Sequence, residues 1–247
     1  MTDSLTIRSA RLRNRSSLVD ITIRGGRIID IVPAGEAGDD DVDVAAAGNL
    51  ATESFVNTHL HLDKVFTLRD LGDDALAEYQ GSGMGNAMAA IETAAAVKKG
   101  QDADAMLAAG RRAVSMAAFY GNTHIRALAD VDSKAGTRGV EVLVALRDEF
   151  VGLVDLQVVA FAQDGIVREP GTDELLRRSM ELGADVVGGI PWIEYTEADM
   201  AAHVRTIFDI AVANDAPVSM LLDDAGDPGL RTLEMMATEA LERGWVG

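Results

Sequence analysis

From about Glu53 onward the chain alternates short apolar runs with longer amphipathic stretches, and this alternation restricts the possible folds more than any other feature. Residues 54–60, 122–131, 153–162, 185–190 and 217–222 read as strands. Helical stretches over 68–120, broken near Gly81-Ser82-Gly83, and helices over 137–150, 172–182, 197–214 and 229–243 lie between and after them. Asp173 and Glu174 suit the positive N-terminal end of the helix they open. Strands that are apolar along their whole length are buried on both faces, as in a parallel sheet covered by helices. Two architectures satisfy the pattern, a doubly wound open sheet and a (β/α)8 barrel. In both, function gathers at the C-terminal ends of the strands. The glycine-rich GSGMG at 81–85 falls between helical stretches rather than after a strand, so it does not read as a dinucleotide loop.

The first fifty residues follow a different pattern. Residues 5–12, 19–24 and 27–32 read as strands, and Gly25-Gly26 between the last two is a hairpin signal. Residues 37–43 are acidic and turn-like. The expected division is a β-rich subdomain over 1–52 and an α/β unit over 53–247.

Composition narrows the function classes. With 48% hydrophobic and 25% charged residues, the 247-residue chain is globular and long enough for one large domain or two smaller ones. A net charge of −18 repels a phosphate backbone or an anionic membrane, so neither is an expected partner. The acidity suits a cationic substrate or, more simply, a solvated surface. The absence of cysteine leaves only His and carboxylate side chains as metal ligands. The first seventeen residues lack the apolar core of a secretory signal, and no apolar run approaches the ~18 residues of a membrane span, so a soluble cytoplasmic protein is expected.

Four histidines are present, His59, His61, His124 and His203. His59 and His61 fall where the first parallel strand ends, and alternate strand residues point to the same side. They can therefore present two imidazoles to one Zn²⁺ or Fe²⁺ ion, which would lower the pKa of a bound water. His124 lies inside an apolar strand and fits either a hydrogen-bonded core position or a site role, and His203 reads as a surface residue in mid-helix. Lys64 suits a site carboxylate, a substrate contact, or an ion pair with Asp63 or Asp70. Trp192, after Pro191, suits a pocket wall or an apolar plug at a barrel rim. Gln163, a polar amide ending an apolar strand, calls for a partner. Asp223-Asp224 reads either as site carboxylates or as a turn and helix start leading into Gly226-Asp227-Pro228.

The segment NTHLHLDK over 57–64 resembles the first-strand metal motif of the amidohydrolase superfamily, in the branch of cytosine deaminase and N-isopropylammelide amidohydrolase. GNTHIRALADVD, VVAFAQDGI, VGGIPWIE and MLLDDAGDP resemble that branch's second- to fifth-strand segments, in order. The resemblance implies an incomplete (β/α)8 barrel of about five βα units behind an N-terminal β-rich subdomain. It implies a divalent metal, zinc or iron, held by His59 and His61, with Gln163 on the substrate ring. Leu221 and Asp224 stand where the family carries a metal-binding His and a proton-shuttling Glu, which implies either a weaker metal or a substitute ligand such as Asp223. In the second-strand segment Ala127-Leu128 replaces a Thr-His pair. The implied chemistry is hydrolysis of a C–N bond in a small nitrogenous substrate, with Gln163, Trp192 and Lys64 as substrate contacts. The family's sixth-strand His and eighth-strand Asp lie beyond these segments, so a second polypeptide, or else a homo-oligomer, is the expected partner. A non-catalytic relative acting as a binding or stabilising subunit is the alternative.

Overall fold

The computed structural model describes residues 4–38, 43–67, 85 and 102–245. The expected helices before residue 102, the GSGMG segment apart from Gly85, Asp70 and most of the acidic turn at 37–43 lie outside them. The chain divides into two compact units, Met1–Ser54 and Phe55–Gly247.

In the first unit, strands β1 (Ser4–Leu12), β2 (Val19–Arg24), β3 (Arg27–Pro33) and β4 (Asp43–Ala45) form a sheet in the order β3-β2-β1-β4, with β5 (Leu50–Ala51) also on β1. Gly25 and Gly26 both have positive φ, 53° and 74°. A two-residue hairpin turn whose twist matches its strands needs that backbone, and glycine adopts it without a Cβ clash. Ala10, Val19 and Ile21 are its buried centre.

In the second unit, β6 (Phe55–His61), β7 (Asn122–Asp130), β8 (Asp155–Ala162), β9 (Val186–Gly189) and β10 (Val218–Met220) pair in parallel, in the order β10-β9-β8-β7-β6. Helices α1 (Ala103–Phe119), α2 (Arg138–Glu149), α3 (Thr172–Glu181), α4 (Glu197–Asn214) and α5 (Thr232–Glu242) alternate with or follow them. This is the N-terminal part of a (β/α)8 barrel, with five of its strands.

The period-2 alternation of the strands sorts their side chains onto two faces. Ile125, Ala127 and Ala129 of β7 and Val158, Ala160 and Ala162 of β8 face one way. There they meet Val114 of α1, Leu143 and Leu146 of α2, Leu176 of α3 and Ile207 of α4 in the main core. Leu128 of β7 and Val159 and Phe161 of β8 face the other way. With Val186, Ile190, Trp192, Ile193 and Ala225 they form a second apolar cluster on the inner face of the incomplete barrel.

Two elements differ from expectation near the site. The first strand runs to His61, so both histidines sit within it. The last helix starts at Thr232, not 229, because the carboxylate of Asp223 accepts from the N–H and hydroxyl of Thr232 and from the N–H of Leu233. That satisfies donors a helix start would otherwise leave bare.

Candidate active site

His59 and His61 stand on the same side of β6, their ring centroids 5.1 Å apart. The His61 ring meets Phe161 edge-on at 5.7 Å, which places it over the inner-face cluster. Nδ1 of His61 lies 3.1 Å from Oδ1 of Asp130, at the end of β7. Lys64 donates to the other oxygen of that carboxylate at 2.6 Å. Asp63 is buried and accepts the backbone N–H of Asp130 at 2.9 Å. Burial, followed by the charge of Asp130, pushes the Asp63 carboxyl above its ordinary value, against Lys64 and His61. Partial desolvation, then His61 and Lys64, hold the His59 imidazole below its ordinary value, while Asp224 pulls the other way. The neutral imidazole so favoured is the form that binds metal.

Asp224 is part of the same group. It acts on His59 electrostatically, and its Oδ1 accepts the indole N–H of Trp192. Trp192 lies in the short 3-10 turn Pro191–Ile193 after β9, buried in the inner-face cluster. The plug reading therefore describes its ring, and its N–H donates to Asp224. Gln163 directly follows β8, buried, its backbone N–H donating to the carbonyl of Phe161 at 3.0 Å.

Several expectations are corrected. Asp223 is not brought to the histidines, since its carboxylate caps α5. These hydrogen bonds outweigh its partial burial and hold it below the ordinary carboxylate range. Leu221 packs against the inner-face cluster where the resemblance implies a third imidazole. Of the readings for Lys64, the pairing with a carboxylate near the histidines holds, the partner being Asp130 rather than Asp63. His124 is neither core nor site: it is exposed, with Nε2 3.3 Å from Asp155. His203 is fully buried rather than at the surface. Asp130 is a residue of this group that the sequence reading does not pick out; its one local signal is a polar side chain closing an apolar strand, as at Gln163.

The donor set fits a divalent metal in part. Two imidazoles stand together, one favoured neutral and one held by a carboxylate. His61, Asp63 and Asp130 also bring one ligand atom each within 4.8 Å of one another and could hold an ion. The third imidazole is missing at Leu221.

No family model matches the chain. The N-isopropylammelide isopropyl amidohydrolase of Pseudomonas sp. (strain ADP) is 31% identical over 243 residues, covering 98% of this chain and 59% of that protein. A crystal structure of 5-methylcytosine deaminase from Klebsiella pneumoniae superposes with a TM-score of 0.83 at 30% identity, over 97% of this chain and 57% of the other. That of N-isopropylammelide isopropylaminohydrolase from Burkholderia multivorans gives 0.77 at 29%, over 99% and 59%. The chain belongs to the amidohydrolase superfamily. It spans between half and three-fifths of the length of these relatives and corresponds to their N-terminal part. Within this amidohydrolase half-barrel, His59, His61, Asp130, Lys64, Asp224 and Trp192 come together at the strand ends, where the superfamily fold places function. Among the described residues no helix is long and apolar enough to cross a membrane.

Proposed function

We propose that this chain is one part of a metal-dependent hydrolase of non-peptide C–N bonds, deaminating a cyclic amidine or cleaving an amide, with the remaining strands and ligands supplied by a second polypeptide. The observation that carries the reading is the pairing of His59 and His61 on one side of β6, with the charge of Asp224 acting on His59. A bound divalent metal supplies the Lewis acid that makes water nucleophilic near neutral pH. His59 and His61 would hold it. Asp130 orients His61 by engaging Nδ1, leaving Nε2 for the ion, and Lys64 neutralises Asp130. Asp224, steadied by the Trp192 indole, takes the proton of the attacking water and passes it to the departing nitrogen as the C–O bond forms and the C–N bond breaks. Gln163 orients the substrate ring, and the apolar inner face around Phe161 limits bulk water.

The test is metal analysis of the complex purified from its own cells, with amine or ammonia release assayed on cyclic amidines and N-substituted amides. Near-stoichiometric metal, lost in a His59→Ala/His61→Ala variant along with release, supports the reading. A complex with no metal sinks it. The packed Leu221 favours a second reading, a non-catalytic subunit that stabilises an intact relative. A metal-free chain that raises the Tm of such a relative would establish that instead.

A further inference from the structure

A second polar group lies buried behind the site and takes no part in the chemistry above. Glu194 follows the turn that carries Trp192, and its side chain is wholly buried. Its Oε1 accepts the N–H of Ile166 at 2.6 Å and of Val167 at 3.1 Å, and its Oε2 that of Arg168 at 2.7 Å. Nδ1 of His203, on α4, lies 2.8 Å from Oε1. Gly165 makes room for this approach, since a Cβ there would sit 3.0 Å from Oε1 and its φ is +101°. His203 is wedged on its other side: a Cβ on Gly189 would collide with Nε2. Nε2 is buried without a hydrogen-bond partner among the described residues. A proton there would have no acceptor, so the neutral ring with its proton on Nδ1, donated to Glu194, is the arrangement that satisfies both groups. One carboxylate thus ties α4 and the turn after β9 to the segment after β8, two residues beyond Asp164 and three beyond Gln163.

We propose that Glu194 and His203 are a positioning pair, holding Gln163 and Trp192 in fixed relation at the rim of the inner face. The substrate role of those two residues rests on the hydrolase reading, and the mechanical coupling does not. Neither Glu194 nor His203 touches the reacting atoms. They act through the backbone of Ile166 to Arg168 and through the turn bearing Trp192, whose indole in turn steadies Asp224.

The test is amide hydrogen exchange on the full chain, together with acrylamide quenching of Trp192. A Trp245→Phe background leaves Trp192 the sole tryptophan. Glu194→Gln and His203→Leu are expected to speed exchange at Ile166 and Arg168 at least ~tenfold beyond the rest of the unit and to increase quenching of Trp192. His203→Asn, whose amide donates from near the Nδ1 position, is expected to stay close to the parent. A uniform loss of protection with unchanged quenching would mean a merely structural pair and overturn the proposal. If Glu194→Gln fails to fold, the wild type decides: amides of Ile166 and Arg168 exchanging as fast as the exposed turn at 151–153 would also overturn it. In the metal-loaded complex, His203→Leu should raise KM more than it lowers kcat. An inactive complex would defeat the hydrolase reading while the exchange and quenching results still decided the coupling.

Discussion

His61 commits Nδ1 to Asp130, so Nε2 is the nitrogen left for a metal, and His59 stands beside it, while just past β10 the apolar Leu221 holds the place where the resemblance implies a third imidazole. Restoring an imidazole there is the direct probe of this geometry. Leu221→His should tighten Zn²⁺ binding by at least ~tenfold in a chelator competition, at ~1–3 kcal/mol of stability for placing a polar ring against an apolar cluster. An unchanged affinity would count against the two-histidine site. Asp130→Asn probes the orienting carboxylate and should weaken metal binding ~10–100-fold. It also leaves Lys64 without its partner, at about 2–3 kcal/mol, because the ammonium keeps some contact with solvent. Denaturation and metal titration of the same variant separate the two effects. The sequence made the imidazole pair legible because strand parity follows from spacing alone. Asp130, Glu194 and His203 were not legible, because a carboxylate's partner 9 to 69 residues away is set by tertiary packing rather than local pattern.

Elements meet closely enough here that some backbone positions admit no side chain. A Cβ on Gly188 of β9 would collide with the carbonyl oxygen of Ser219 on β10, and backbone cannot yield as a side-chain tip can. Gly188→Ala should therefore cost ~3 kcal/mol or more by urea denaturation, or pry the last strand away. A near-neutral result would mean that β10 does not pack as described. The tie between α4 and the strand ends carries a pH signature. Burial holds His203 below its ordinary 6.5, outweighing the pull of Glu194. Burial alone would raise Glu194, but His203 and the N–H groups of Ile166 and Arg168 outweigh it and hold the carboxyl below its ordinary 4.5. For both groups the unfolded chain takes up a proton that the folded chain refuses. Stability should thus fall as pH drops below about 6.5, by up to ~1.4 kcal/mol per pH unit from His203, and more steeply below about 4.5 as Glu194 joins. His203→Asn should flatten the upper limb and keep the lower one. An upper limb unchanged in that variant would assign it to other groups. Strand and helix order was readable from hydrophobic period, whereas the start of α5 was not, because the side chain of Asp223 sets it across nine residues.

At the scale of the molecule, the parallel sheet has two outer edges, β6 and β10, and among the described residues no strand pairs with the outer side of either. Phe55 and Val56 on β6 are 58% and 62% exposed, so one edge offers apolar surface beside unpaired backbone. Such an edge draws in another chain unless something opposes it. What opposes it here is charge: at −18, two copies repel strongly at low ionic strength. The Debye length falls from ~30 Å at ~0.01 M salt to ~8 Å at ~0.15 M, which removes most of that repulsion and leaves the apolar edge intact. Sedimentation of this chain alone should therefore shift from monomer to larger species as salt rises across that range. A Phe55→Lys/Val56→Lys variant should resist the shift. A completing chain that pairs with both edges would remove the salt response altogether, because strand addition buries the surface that salt unmasks. Native mass spectrometry of material from its own cells reads the same question from the other side. A stoichiometric complex with a second chain, insensitive to salt and carrying metal, fits a shared barrel. A homo-oligomer that forms only in salt, without metal, would place the function of this amidohydrolase chain outside hydrolysis and leave the degenerate subunit as its reading.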